Sequence, residues 1–157
     1  MEENNAATEQ PSGPQFAIQR TFIKDLSFET PMGVKVFTQA FQPKVKMDVN
    51  TRGNAIAEAV HEIVLTLTIT AKVEEDTAYI VELQQAGIFA INGFPEEQMA
   101  HVLGAVCPNF LFPYAREAVD SIVVKGGFPP LSIAPIDFDA IFRQSQASAD
   151  QSGQSLN

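Results

Sequence analysis

The stretch EEQMAHVLGAVCPNFLFPYAREAVDSIVVK, residues 96–125, is the one long segment of this sequence with helical periodicity. Its apolar residues recur at spacings of three and four, which places them on a single stripe of a helix. The members of that stripe are Leu111, Phe112, Ala115, Ala118, Val119, Ile122 and Val123. Lys125, followed by Gly126 and Gly127, marks the end of the helix. The pattern is typical of a helix that covers one face of a β-sheet.

The start of this helix and its flank carry two further signals. Asn109 follows a proline, so we predict that it caps the long helix, with Pro113 near the first turn, where a missing N–H costs least. Residues 96–106 are then expected to form a shorter helix ahead of it. Phe110 and Tyr114 lie beside the stripe and make the apolar surface wider than one sheet face requires. Such excess surface suggests a second contact, most simply with another copy of the chain.

The chain ahead of these helices predicts four β-strands, because apolar and polar residues alternate with a period of two. The expected strands are residues 16–29, 41–49, 57–73 and 77–91. We expect a turn at residues 50–54, an acidic hairpin turn at residues 74–76 and a short closing helix at residues 136–143. Four consecutive antiparallel strands followed by helices predict an α+β domain.

Length and terminal composition predict one domain between two tails. The length of 157 residues is enough for a single domain with a real core. Residues 1–15 are acidic and polar, and residues 144–157 are polar, so we predict that both are disordered and flank a folded domain at residues 16–143. A signal peptide would begin with positive charge and then an apolar run, which this N-terminus lacks.

Composition argues against several classes of protein. Ten basic residues against nineteen acidic ones give a formal charge of −9, which argues against a nucleic-acid partner. The sequence has no run of about 18 apolar residues, so we expect no direct insertion into a membrane. Cys107 is the single cysteine and cannot form an internal disulfide, which favours a cytoplasmic protein in a reducing environment.

Few residues could carry catalysis. His61 shares a strand face with apolar residues, His101 sits in the shorter helix, and neither has metal-pair spacing, so no metal site is predicted. The sequence lacks a glycine-rich phosphate loop, so neither ATP nor GTP is expected and no cofactor is predicted. The enzyme hypothesis that remains is a small hydrolase with Cys107 as nucleophile and His101 as base. No residue is indicated that would orient that base, so we predict that the protein is not an enzyme.

Apolar residues also occur in irregular segments. Val34, Val36 and Phe37 lie in a loop after the first strand, and residues 128–131 lie in another loop after the long helix. Loops usually run over the surface of a protein. These residues therefore either fold back to cover the core or line a groove, and the residues alone leave both interpretations open.

Several strings of the sequence resemble the SecB family, the protein-export chaperones of Gram-negative bacteria. They are IQRTFIKDLSFE (18–29), LQQAGIF (83–89), QMAHVLGAVCPNFLFPYARE (98–117), GGFPPL (126–131) and LSIAPIDFDAIF (131–142). The string CPN-x-LFPYARE is highly specific, because no packing rule would produce it. The resemblance covers residues 18–142 and leaves the two tails unmatched.

This resemblance implies a SecB-like fold and a cytosolic homotetramer built as a dimer of dimers. It implies an ATP-independent holdase that binds unfolded preproteins and delivers them to the SecA motor for export. A rival of the same fold is a SecB-like chaperone dedicated to one toxin–antitoxin pair. The carboxylates expected to dock SecA are present in this sequence, which speaks against that rival.

Three groups of site residues follow from the resemblance. SecA would dock on residues of the first and fourth strands, namely Asp25, Glu29, Ile80 and Glu82. Positions tied to oligomer integrity, which packing alone would explain as core, are Tyr79, Val81, Leu83 and Gln85. The preprotein groove would be lined by Phe37, Phe41, Val45, Met47, Phe128, Ile136, Phe138, Ile141 and Phe142. Many family members carry tryptophan where this chain has Phe41, so the groove would keep its aromatic wall without an indole donor.

Overall fold

A computed structural model of the chain describes residues 12–154, in which helices cover one face of a four-stranded antiparallel sheet. The strands are β1 (Gln15–Glu29), β2 (Lys44–Ala57), β3 (Val60–Val73) and β4 (Asp76–Asn92), and a 3₁₀ segment, Gly33–Thr38, lies between β1 and β2. The helices are α1 (Glu96–His101), α2 (Cys107–Lys125) and α3 (Phe138–Gln154), and a π-helical segment, Val102–Val106, joins α1 to α2. The α+β prediction is confirmed. Most of the predicted N-terminal tail, residues 1–11, lies outside the described residues.

The strand order in the sheet is β1-β4-β3-β2. Strands β2, β3 and β4 are joined by two hairpins, whereas β1 pairs with β4 on the far side. The segment between β1 and β2 must therefore cross from one sheet edge to the other, and Val36 anchors it in the core with 2% of its surface exposed. Strands β1 and β2 are the two edges of the sheet. The inner side of β2 is left partly exposed.

The predicted turn at residues 50–54 is wrong. Asn50 pairs with Thr66 and Asn54 pairs with Glu62, so these residues continue β2. The ladder to β3 holds them in strand geometry although Asn and Gly have low strand propensity. The real turn is Glu58-Ala59, where Ala59 has the left-handed backbone conformation (φ 54°) that a tight hairpin needs.

The two faces of the sheet differ sharply in polarity. The inner face faces the helices and carries Ile63, Leu65, Leu67, Val81 and Leu83, all fully buried. The outer face carries residues such as Thr68 and Glu82, which pair across β3 and β4. Full burial of a branched aliphatic side chain contributes roughly 1.5–3 kcal/mol, so the inner face of β3 and β4 supplies much of the stability.

The predicted unbroken alternation of β1 is also wrong. Two β-bulges, between Ile18 and Arg20 and between Ile23 and Asp25, each add a residue and reverse which side chains face the helices. Between the bulges Phe22 pairs with Ala86 on the outer face, although simple alternation would place it with the inner residues. After the second bulge the predicted pattern returns, which leaves the outer placement of Asp25 unchanged.

Helix α2 packs its apolar stripe on β3 and β4, as its periodicity predicts. Its start differs from the prediction, because the π-helical segment continues the helical path directly into Cys107 and Asn109 caps nothing. Pro113 therefore lies inside the helix rather than near its first turn. Its missing N–H removes the helical donor to the carbonyl of Asn109, which is an exposed residue, so water can take that donor's place.

The closing helix is longer than predicted. Helix α3 runs from Phe138 to Gln154 instead of ending at residue 143, so most of the segment predicted as a disordered tail is helical. Serine hydroxyls along it donate to carbonyl oxygens of the preceding turn, as Ser145 does to Phe142 (2.8 Å) and Ser148 does to Gln144 (3.0 Å). Local bonds of this kind satisfy the polar side chains without any apolar anchor. Across residues 12–154, no helix has the length and apolar character needed to cross a membrane.

Candidate functional site

A groove runs along the inner face of β2, the edge strand that α2 does not cover. Val45, Met47 and Val49 pair with Ala71, Ile69 and Leu67 of β3, so they face the same side as the core. Unlike the core residues, Val45 is 47% exposed, and Met47 and Val49 are half-buried. We call this surface the β2 groove, with the inner-facing residues of β2 from Val45 to Ala55 as its floor. The ten residue-to-residue steps from Val45 to Ala55 make that floor roughly 33 Å long.

An aromatic cluster closes one end of the β2 groove. Phe128, in the loop after α2, lies with its ring centroid 4.8 Å from Tyr79, 5.2 Å from Phe41 and 5.3 Å from Phe37. Phe128 is only 5% exposed, whereas Phe37 is 55% exposed. The cluster therefore has a buried base and an accessible aromatic rim. Both interpretations of the apolar loop residues therefore hold in part. Val36 and Phe128 are buried in the core, whereas Val34 and Phe37 stay exposed.

The other end of the β2 groove lies against α3 and the π-helical segment. A cavity of about 640 Å³ opens there between the C-terminal half of β2 and α3. Its apolar lining includes Val49, Leu103, Ile141 and Phe142. The His61 ring also lines it, and its Nδ1 is buried without a hydrogen-bond partner in the described part of the chain. The opening is large enough to accept apolar side chains of a second chain.

The nine residues predicted for the preprotein groove divide into two sets. Seven of them lie in the β2 groove or in its two ends: Phe37, Phe41, Val45, Met47, Phe128, Ile141 and Phe142. Phe138 instead is 3% exposed and packs edge-on against Phe112 of α2, with ring centroids 6.0 Å apart. Ile136 lines a separate small cavity beside His101.

Sequence reasoning missed part of the groove lining. Val49 continues the alternation of Val45 and Met47, so the strand pattern could have found it. Leu103 and Gly104 carry no local signal, because they reach the groove only through tertiary contacts of the π-helical segment with β2 and α3.

The four residues predicted to dock SecA share the outer face of the sheet. Glu29 pairs with Ile80, and Ser27 pairs with Glu82, so the four lie on the adjacent strands β1 and β4. The side chains of Asp25, Glu29 and Glu82 are exposed, and Ile80 is half-buried. No ion pair within residues 12–154 involves these three carboxylates, so their charge faces solvent.

The four residues predicted as an oligomer or core face are all buried within a single chain. Tyr79, Val81 and Leu83 are at most 1% exposed and Gln85 is 3% exposed. The Gln85 side-chain amide donates to the carbonyl oxygen of Phe22 at 3.1 Å, so its polar end is satisfied. Burial raises the pKa of Tyr79 to about 12, with a smaller contribution from the negative charge of Asp120.

The exposed apolar residues beside the stripe of α2 are present as predicted. Phe110 is 46% exposed and Tyr114 is 50% exposed in the single chain. Phe110 contacts Phe16 of β1 with ring centroids 5.3 Å apart, which extends the apolar surface from α2 onto the edge strand. This surface lies away from the β2 groove, at the opposite edge of the sheet.

The geometry does not support the hydrolase hypothesis. Cys107 is fully buried, and burial raises the pKa of its thiol to about 12, so the nucleophilic thiolate is disfavoured at neutral pH. The His101 side chain is hydrogen-bonded to Asp139, with Nε2 2.5 Å from Oδ1. Among residues 12–154, no three His, Cys, Asp or Glu side chains come together in a way that could hold a metal ion.

Comparisons with known proteins agree with these features. The family model described as Preprotein translocase subunit SecB matches residues 9–149. The Protein-export protein SecB of Cellvibrio japonicus is 49% identical over 152 residues, which cover 96% of this chain and 91% of that protein. The Protein-export protein SecB of Methylococcus capsulatus is 51% identical over 154 residues, which cover 98% of this chain and 97% of that protein.

Among solved structures, the chain is similar in fold to a SecB-like chaperone of Mycobacterium tuberculosis in complex with a ChAD peptide from an antitoxin. The TM-score is 0.63 at 12% identity, over 77% of this chain and 87% of that one. The match of the family model to nearly the whole domain, together with relatives about half identical in sequence, shows that this chain belongs to the SecB family of protein-export chaperones, which are not enzymes.

Proposed function

We propose that this chaperone holds unfolded preproteins in its β2 groove and delivers them from the cytoplasm to the SecA motor. The observation that supports the proposal most directly is the apolar row Val45, Met47 and Val49 on the floor of the groove, which no element of the described chain covers completely. A folded protein buries its apolar side chains and offers no extended segment to such a floor. Foldedness would therefore decide which chains bind.

Binding in this groove would depend little on the sequence of the client. Burial of apolar surface is non-directional and contributes roughly 25 cal/mol per Å². An extended segment presents alternate side chains to a floor of this kind, and the rim aromatic Phe37 adds further contact area. Such a site selects for apolar residues at alternate positions rather than for one motif.

Tight holding of a long client would come from several grooves acting together. The exposed aromatic surface around Phe110 and Tyr114 supports assembly of copies of this chain, and we infer a homotetramer built as a dimer of dimers. One unfolded chain that reaches several grooves gains avidity, because each further contact is intramolecular. Several weak contacts together then hold the client, although each contact alone can still be released.

Transfer to SecA would use the outer face of the sheet. Asp25, Glu29 and Glu82 present unpaired negative charge there, and the half-buried Ile80 lies among them. Charge of one sign draws a basic partner and sets its orientation over a Debye length of about 8 Å at physiological salt. Because this face is opposite the β2 groove, the motor could dock while a client is still bound.

The experiment that tests this function is native mass spectrometry of the protein with and without an unfolded preprotein. We expect the mass of four chains alone and of four chains plus client after addition of the denatured precursor. The same precursor, folded before mixing, is the control and should leave the mass unchanged. A monomer that leaves the denatured precursor free to aggregate would contradict the proposal. Capture of several unrelated precursors would separate it from a chaperone dedicated to one toxin–antitoxin pair.

A further inference from the structure

Phe142 lies in a notch that the absence of a side chain at Gly104 creates. A Cβ added to Gly104 would lie 2.7 Å from Cδ2 of Phe142, closer than real Cβ contacts come, and a tight 3.0 Å from Cε2. Gly104 is in the middle of the π-helical segment, and both residues line the cavity at the α3 end of the β2 groove. The closeness of this contact means that the ring position is set by the backbone of the π-helical segment.

A side-chain contact one turn earlier joins α1, the helix that leads into the π-helical segment, to α3. His101 Nε2, at the end of α1, lies 2.5 Å from Oδ1 of Asp139 in the first turn of α3. The His101 ring also meets the ring of Phe142 edge-on, with centroids 5.6 Å apart. The His101 side chain is 46% exposed and that of Asp139 is 62% exposed, so the contact contributes more to the orientation of α3 than to stability. The pair thus fixes where α3 begins relative to the π-helical segment.

We propose that Gly104, assisted by the His101–Asp139 pair, is the positioning residue of the groove's α3 end: it keeps the Phe142 ring withdrawn toward the π-helical segment and thereby sets how large a client side chain that end accepts. The proposal rests on the β2 groove as the client site. It adds a determinant of size selectivity that lies outside the client-contacting strand.

The physical consequence of filling the notch is specific. A methyl group at residue 104 would push the Phe142 ring away from the π-helical segment, and the space open to it is the cavity shared with Val49 of β2. The cavity would become smaller, while Val45 and Met47 on the floor would be unaffected. Clients with large side chains should therefore lose affinity, and clients with small side chains should not.

The decisive experiment compares two labelled peptides of about ten residues, which is the length of the groove floor. One carries phenylalanine and the other carries alanine at alternate positions, and binding is followed by fluorescence anisotropy. For Gly104→Ala we expect about tenfold weaker binding of the phenylalanine peptide, equivalent to about 1.4 kcal/mol, and unchanged binding of the alanine peptide. Adding Phe142→Leu removes ring volume from the same space and should restore binding of the phenylalanine peptide.

The matched control for the notch is Gly153→Ala, because a Cβ at Gly153 in the same C-terminal helix meets nothing within 4 Å. For the His101–Asp139 contact, His101→Gln keeps an N–H donor and should retain the size selectivity, whereas His101→Ala should weaken it. Thermal unfolding and native mass identify variants that lose affinity only because they unfold.

Four outcomes separate this inference from the function on which it rests. If the wild-type protein binds neither peptide nor any unfolded precursor, the proposed function fails. If the wild-type protein binds and Gly104→Ala weakens both peptides equally, the inference is wrong while the function stands. It is also overturned if a folded Gly104→Ala protein binds both peptides normally. The inference is likewise wrong if adding Phe142→Leu to Gly104→Ala does not restore binding of the phenylalanine peptide.

Discussion

The ring of Phe128 packs against the ring of Phe41 with centroids 5.2 Å apart, and this contact ties the loop after α2 to the segment that leads into β2. The same Phe128 ring touches Tyr79 of the sheet at 4.8 Å, so three distant parts of the chain meet at one buried side chain. The aromatic cluster consequently has one member that supports the fold and an outer member, Phe37, that is free to contact a client.

This difference predicts opposite effects of two alanine substitutions. Phe128→Ala should lower the free energy of unfolding by about 3–5 kcal/mol, because it leaves a cavity among buried rings. Phe37→Ala, at a 55% exposed position, should cost less than about 1 kcal/mol and should instead weaken client binding. Urea unfolding and client anisotropy measure the two effects. Equal losses of stability in the two variants would contradict the division.

The outer carboxylates should matter for the motor and not for the fold. Asp25→Asn combined with Glu82→Gln removes two exposed negative charges without changing side-chain shape. We expect binding to SecA to weaken roughly tenfold, about 1.4 kcal/mol, and to depend less on salt concentration. Client capture should be unchanged, because the β2 groove is on the other face.

The control for that variant is Asp48→Asn. Asp48 is also exposed on the outer face, where it pairs in register with Thr68, but it lies on β2 rather than on β1 or β4. Titration of each variant with SecA by isothermal calorimetry compares them directly. An Asp25/Glu82 double variant that binds SecA like wild type would refute the docking surface, and equal weakening by Asp48→Asn would show a general charge effect.

Assembly should depend on the exposed aromatic flank of α2. Tyr114→Arg places a charge on a side chain that is 50% exposed in the single chain, so the fold should tolerate it. If this surface joins copies of the chain, burial of that charge is costly and light scattering should report a smaller particle. Val34→Arg, at a 79% exposed position of the 3₁₀ segment, is the control and should keep the original mass. Equal masses for both variants would exclude this surface from the interface.

The two raised pKa values predict loss of stability in alkaline solution. Burial raises the pKa of Cys107 from about 9 to about 12, and burial also raises that of Tyr79 from about 10 to about 12. Between the ordinary and the raised values the folded state keeps protons that the unfolded state has released, so stability falls as pH rises from about 9 to 12. Below about pH 9 neither group makes the stability depend on pH.

Urea unfolding at a series of pH values measures the effect. Cys107→Ala should make the decline with pH shallower, whatever its effect at neutral pH. In the folded wild type, thiol reagents should label Cys107 slowly at pH 8, and labelling should become fast in urea. Rapid labelling of the folded protein would show that the thiol is accessible after all.

Removal of the C-terminal part of α3 should leave the fold intact. In a protein ending at Arg143, Phe138 and Phe142 keep their contacts, because the residues described after Arg143 are exposed. The free energy of unfolding should change by less than about 0.5 kcal/mol, while the helical signal in circular dichroism decreases. A larger loss of stability would mean that this part of α3 carries contacts in the assembled protein.

Local periodicity in the sequence was sufficient to determine the class of the fold. The stripe from Leu111 to Val123 gives α2 because one side of a helix must be buried, and the alternation in β3 and β4 gives two strands for the same reason. Alternation predicted the outer position of Asp25 and Glu29, and that prediction holds because the second bulge of β1 cancels the first. The family resemblance, carried by strings such as CPN-x-LFPYARE, is confirmed by the comparisons.

Tertiary structure alone decided the rest, because it depends on contacts between residues far apart in the chain. The bulges of β1 follow from register against β4, and the continuation of β2 through Asn50 and Asn54 follows from its ladder to β3. Helix docking brings Gly104 against Phe142 and so forms the notch that receives the ring. No residue spacing along the chain predicts that contact. Periodicity reports which side of an element is buried, whereas register and docking select what buries it.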